Sequence, residues 1–319
     1  MRYSILHFTL NIIKTCTGIF FILILNQYSL KAQNHENSND TISVNKNCPS
    51  INNKEKQALL IAVGKPHSYF KKELKGPVNE IKHLVELLDN NGYAVYTLTD
   101  EDATKKNIEK KICQILSSKN LSQLLFYYAG YSISKSDLWD QFSKDLREKF
   151  YEKNEAEYIL IPYQKDQDSK INEVICMGEL NVLFNENKKE AHNEDKKNNV
   201  RKVIIIEATH ERNFANVSPL VSNFFADKLP SDGLYALTSL KDTTYDGEYG
   251  PVIIEALEGK ADKLNSGNND GIVSIWELTS YFDNHINVRF GDMRGENFSS
   301  RYIFIGNGNV PLTNVLSNK

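Results

Sequence analysis

The sequence predicts an α/β three-layer sandwich built on a mostly parallel six-stranded sheet, and three observations carry that prediction. Continuous apolar runs at 58–63 (ALLIAV), 124–129 (LLFYYA) and 203–206 (VIII) have the pattern of strands covered on both faces. Between and after such runs lie segments whose apolar residues recur at helical spacing. The connections are short, and right-handed βαβ crossovers then leave few arrangements other than a parallel sheet with helices on both faces.

Ala58 to Val63 is the first predicted strand and stops at Gly64. Pro77 to Asn90 is a helix: positions 78, 81, 84, 85, 87 and 88 are apolar, proline opens it and Gly92 follows its end. Tyr93 to Leu98 reads as a strand, and Ala103 to Leu116 as a helix with an apolar face at 108, 112, 115 and 116. Leu124 to Ala129 and Val203 to Ile206 are buried strands. A strand at Tyr235 to Leu237, helices at Pro251 to Leu257 and Ile275 to Phe282, and a strand at Tyr302 to Ile305 complete the domain. In such sheets ligands meet the carboxyl ends of the strands, which directs attention to the residues after LLFYYA and VIII.

The folded part is predicted as residues 57–319. Residues 1–32 carry Arg2, Lys14 and Lys31, no acid, and an apolar run from Ile19 to Leu25, with Ala32 at a position suited to signal-peptidase cleavage. They read as a secretory signal, so the chain is expected to be secreted or periplasmic; left uncut, the same segment would be a membrane anchor, the one way a membrane enters. Residues 33–56, rich in Asn, Ser, Lys and Glu, read as a flexible linker, and Asn185 to Asn199 as a solvated insertion.

Composition excludes several classes of function. Of the 38 basic groups three lie in residues 1–32, leaving 35 against 41 acids, with no basic stripe and hence no nucleic-acid partner. Cys16, Cys48, Cys113 and Cys176 show no zinc-ligand spacing, and no cofactor is expected. Three cysteines remain after cleavage, an odd number, so at least one thiol is free or pairs between chains; Cys113, on the apolar face of its helix, is expected to be simply buried.

The order ALLIAVG, NGYAVYTLTDEDAT, LLFYYAGY, YILIPYQ, VRKVIIIEATHERNF and GKADKLNSGNNDGIVSIWEL, with Asn79 in the first helix, resembles the caspase-like cysteine peptidases in their bacterial and metacaspase-type branch. The resemblance runs from about Gln57 to the C terminus. It implies a caspase-like fold, with a catalytic histidine in a Gly-His-Gly stretch after the third strand and a nucleophile in Asp-(Ala/Ser)-Cys-His-Ser-Gly after the fourth. At these places the chain has Gly130-Tyr131-Ser132 and Glu207-Ala208-Thr209-His210-Glu211-Arg212. A thiol of pKa about 8.5 beside an imidazole of about 6.5 ionises at neutral pH. Tyr131 and Thr209 form no such pair.

The resemblance therefore implies a catalytically disabled pseudo-peptidase that acts by binding a protein or peptide, possible partners including an active caspase-like relative. The alternative is an active endopeptidase-like hydrolase with an unconventional nucleophile. Cys176, before a helix opening at Gly178, is either that nucleophile or a small packed residue; His210 is either a base for Thr209 or structural; His67 is a loop histidine on the functional edge of the sheet. Gly130, Ser132, Glu207 and His210 are the candidate binding residues. Glu207 matches the family's acid for a basic side chain beside the cleaved bond, so it either holds an Arg or Lys side chain or pairs with a local base such as Arg212. Finally, Ser266, Asn268, Asp270 and Glu277 fit the ligand spacing of a calcium loop, or form an ordinary turn before a helix.

Overall fold

The computed structural model describes Asn52 and residues 54–65, 67–70, 73–134, 138–150, 158–166, 170–185, 200–209, 234–238, 249–263, 266–294 and 308–315. The first half alternates β1 (Lys56–Ala62), α1 (Gly76–Asn90), β2 (Ala94–Thr99), α2 (Lys105–Leu116) and β3 (Gln123–Ser134). Then come α3 (Lys144–Lys149), β4 (Tyr158–Ile161), β5 (Ile175–Cys176) and α4 (Met177–Asn185). The second half holds β6 (Arg201–Thr209), β7 (Leu234–Thr238), α5 (Gly250–Glu255), β8 (Ile272–Ser274), α6 (Ile275–Arg294) and β9 (Pro311–Asn314).

Local chemistry explains the boundaries. Pro77 sits in the first turn of α1, where its missing N–H costs nothing, and Gly92 just past the helix has φ +81°, a conformation that glycine adopts without strain. Thr104 caps α2, its hydroxyl accepting from the N–H of Asn107 at 3.3 Å. A turn of π-helix, Ala256–Lys260, follows α5, and Gly259 within it has φ +109°.

The sheet among the described residues has seven strands rather than the predicted six. Five are parallel, in the order β2-β1-β3-β6-β7. The other two, β4 and β5, are short antiparallel additions: once β1 ends at Ala62, opposite Ala129, β4 takes over the vacated edge of β3 and β5 pairs with β4. With four and two residues, β4 and β5 are too short for an apolar pattern to have placed this extension in advance. The predicted strand at Tyr302 to Ile305 and most of the Asn185 to Asn199 insertion lie outside the described residues.

Alternation along the strands sends side chains to two layers. Ala58, Leu60, Ala62, Leu125, Tyr127, Val203 and Ile205 form one core with Ile81, Leu84 and Leu88 of α1, Val252 and Ile253 of α5, and Leu278, Tyr281 and Phe282 of α6. On the opposite face Phe126 meets Phe184 of α4 edge-on at 5.6 Å, and α2 and α4 contribute the buried Ile108, Ile112, Leu180 and Leu183. The three-layer α/β sandwich is thus the architecture found. Cys113 is buried on its helix, as expected, and is in addition disulfide-bonded, whereas Cys176 is not in a disulfide.

Candidate functional site

The two sequence positions that matter most are neighbours in the sheet. Tyr131 of β3 is the register partner of Thr209 of β6, on adjacent parallel strands roughly 4.8 Å apart. Neither lies just beyond a strand end, as predicted. β3 continues through Tyr131, pairing with β4 at Tyr131–Ile161 and Ser132–Leu160, and β6 extends to Thr209 along β3. The side chain of Thr209, and all of His210, Glu211 and Arg212, fall outside what the structure describes.

Tyr131 is 1% exposed, and its ring packs on Phe70 with centroids 4.4 Å apart. Phe70 comes from the loop after β1, whose path is fixed at several points. Asp100 Oδ1 at the end of β2 accepts from the N–H of Gly64 at 2.8 Å and of Lys65 at 3.2 Å. Leu74 N–H donates to the Gly64 carbonyl at 3.0 Å, so close that a Cβ on Gly64 would lie 2.5 Å from the Leu74 oxygen. Phe70 N–H donates to the His67 carbonyl at 3.0 Å, and Nδ1 of His67 accepts from Tyr69 N–H at 3.1 Å. His67, which sequence reasoning treated as a loop histidine, is buried and helps to shape the turn that seats Phe70 on Tyr131.

Two other candidate residues have packing explanations. Gly130 faces Tyr128, whose hydroxyl would lie 2.9 Å from an added Cβ while it reaches the carbonyls of Tyr131 at 3.0 Å and Ile161 at 2.8 Å. Ser132 is 1% exposed within the β3–β4 ladder.

Glu207 points into the core between the sheet and α1 and α5. Its Oε2 accepts from the Tyr127 hydroxyl at 2.7 Å and its Oε1 from the Gly250 N–H at 3.0 Å. Burial pushes its carboxyl above the ordinary range, and hydrogen bonds from Tyr127, Glu80, Gly250 and Tyr249 pull it only part of the way back. Its partners are therefore a phenol, backbone amides and a second acid, not an open cleft. Strand alternation made its side predictable; Glu80 on α1, which it meets, carried no motif signal.

Cys176 is buried at the start of α4, and its N–H donates to Glu179 Oε2 at 3.1 Å. Glu179 also receives Lys105 Nζ at 2.7 Å and Lys149 Nζ at 2.9 Å. Burial works to raise the Glu179 carboxyl, but the Lys105 charge and the hydrogen bonds outweigh it and hold the group below the usual carboxylate range.

Of the predicted calcium-loop residues, Asp270 and Glu277 come together with Asp262, and Asn268 donates to both Glu277 and Asp270. Oxygens of Asp262, Asp270 and Glu277 lie within 4.8 Å of one another. Each is already used by the loop: Asp262 accepts from the N–H of Asp270 and Gly271, Glu277 from the N–H of Asn268 and Ser274, and Asp270 from the N–H of Ile272. Ser266 is buried, and its Oγ lies 3.4 Å from Asn284 Nδ2. These bonds account for the cluster as a carboxylate-capped turn ahead of α6, with Asn269 and Gly271 at positive φ. Asp262 escaped sequence reasoning because it precedes the ligand-spaced segment.

Solved structures give the same architecture. The structure of pro-sf-caspase-1 superposes with a TM-score of 0.51, covering 86% of this chain and 99% of its own, at 12% identity, a likeness of fold alone. No curated protein matches the chain. The family model for the caspase domain matches residues 55–242, more than half of the chain and the whole stretch that carries β1 to β7, and the chain belongs to the caspase domain family.

Proposed function

We propose that this caspase-fold domain is catalytically disabled and acts by binding a protein or peptide. The observation that carries the reading is the burial of Tyr131 under Phe70 in register with Thr209. A phenol of ordinary pKa about 10 stays protonated at neutral pH, and burial raises a phenol further. A threonine hydroxyl without a base beside it does not attack an amide. Tyr131 stands at the sequence position where the family resemblance implies a histidine, and its ring is held against Phe70. Binding surfaces survive such losses because they depend on shape and backbone rather than on one thiol.

The test is turnover of fluorogenic peptides ending in Arg or Lys, compared among the full chain, Thr209→Ala and Cys176→Ala. All three are expected to be silent. Activity lost with Thr209→Ala overturns the reading, and activity lost with Cys176→Ala names a different nucleophile.

Export of the chain belongs to the same proposal. A disulfide at Cys113 supports it, since such bonds persist in oxidising compartments. Among the described residues no helix is long and apolar enough to cross a membrane.

A further inference from the structure

The chain passes from β1 to α1 through a loop that is closed at its neck. Leu74 N–H donates to the Gly64 carbonyl at 3.0 Å, and Lys65 Nζ meets Glu73 Oε1 at 3.2 Å. A loop whose two ends are bonded together in this way is an Ω-loop, a unit that can move as one body. Asp100 at the end of β2 fastens the neck from outside, its Oδ1 accepting from the N–H of Gly64 and of Lys65. Its own backbone takes φ +40°, a left-handed conformation that a residue other than glycine keeps only where its surroundings impose it.

The tip of the loop turns back on itself. Phe70 N–H donates to the His67 carbonyl, Tyr69 N–H donates to Nδ1 of His67, and the Tyr69 and Phe70 rings stand edge to face with centroids 5.2 Å apart. From this tip Phe70 reaches the sheet, its ring tilted 35° on that of Tyr131, and only 6% of it is exposed. Tyr131 lies beyond the end of β1, in the carboxyl-terminal part of β3 and in register with Thr209. That is the edge at which open α/β sheets meet their ligands. The chain therefore lays an aromatic side chain of its own where a ligand's would lie. Glu207, the acid matched to a basic side chain, is turned instead toward Tyr127 and Gly250 in the core. What Tyr131 offers a side chain is an aromatic face, not a carboxylate.

We propose that this Ω-loop is a flap over a binding seat, and that Phe70 fills, on Tyr131, the place of an aromatic side chain from the bound protein or peptide. The inference rests on the binding function proposed above and adds the chemistry of what is bound. With the flap down the domain carries its own occupant, so the free molecule is held closed. A partner's aromatic side chain takes the seat by replacing Phe70, one ring contact for another. Its apparent affinity is then reduced by the fraction of molecules whose flap is raised. A raised population of about 1–10% makes binding about tenfold to a hundredfold weaker than to a seat left empty.

The test titrates N-acetyl-phenylalaninamide into the full chain and into Phe70→Ala, followed by NMR at the Tyr131 and Thr209 resonances, with N-acetyl-lysinamide as the control. The variant is expected to bind the aromatic amide at these residues at least about tenfold more tightly than the wild type, and neither protein should respond there to the lysine amide. Equal affinities in the two proteins, no response of the variant, or an equal response to both amides overturns the proposal. Relaxation dispersion on the wild type decides independently of how well the variant folds. Phe70 and Tyr131 should report one common minor state of about 1–10%, and its absence overturns the flap. Neither measurement reads turnover. Peptidase activity would overturn the disabled reading and leave the flap standing, whereas a silent turnover assay with no minor state removes the flap alone.

Discussion

Glu179 shows how much a single side chain can organise when it is placed where cations converge. It joins Lys105 of α2, Lys149 of α3 and the Cys176 N–H at the β5–α4 junction, with only 12% of its side chain exposed. Lys105 is itself mostly covered and also donates to the Val174 carbonyl at 2.8 Å. Removing the acid leaves a partly buried ammonium and a backbone donor without their acceptor, which costs more than the loss of a surface pair. Glu179→Ala is therefore expected to lower stability by about 1–3 kcal/mol in urea unfolding at neutral pH. Its carboxyl is held below the usual range, so this contribution is present above the unfolded pKa and is lost as pH falls through the lowered folded value. Wild type and variant should converge at strongly acid pH. A gap that stays constant down to that limit would mean that packing, not charge, is what the substitution removes.

Among the elements, those most legible in the sequence are the ones whose signal is local. The continuous apolar runs of β1, β3 and β6 and the stripe of α1 are set by burial on two faces or one, and the structure has them within a few residues of prediction. The sequence was weakest where pairing is non-local. β4 has only four residues and β5 two, and each is a strand because the edge of β3 beyond Ala129 is left open by β1. The same holds for the site. Tyr131 and Thr209 were legible as substituted positions, but Phe70 reaches Tyr131 through a loop whose course depends on Asp100, Gly64 and Leu74 together. The α1–α5 junction is of this kind too, and it gives a compensation test. Gly250 leaves no room for a methyl group because the Glu80 carboxyl fills the space. Gly250→Ala alone should destabilise by about 1–3 kcal/mol through overpacking. In a Glu80→Ala background, where the carboxyl is gone, the same change should cost far less, a coupling that a double-mutant cycle measures in thermal unfolding. Additive effects would show that Gly250 is needed for its backbone conformation and not for the contact.

For the molecule as a whole, the disulfide and the proposed signal constrain each other. Cys113 is bonded, Cys176 is not, and the remaining cysteines of the chain are Cys16 and Cys48. Cleavage after Ala32 removes Cys16, which leaves Cys48 as the one intrachain partner for Cys113. Peptide mapping of protein from native cells is then expected to find Gln33 at the N terminus and a linked peptide containing Cys48 and Cys113. Such a bond ties the segment before β1 to α2 and closes a long loop, so Cys113→Ser should lower stability by about 2–4 kcal/mol, measured against the oxidised wild type. The reduced wild type should match the variant, because both lack the same restraint on the unfolded chain. A native chain that keeps Met1, or a Cys16–Cys113 linkage, defeats cleavage. A Cys113 found as a free thiol in native protein removes the support that this bond lends to export.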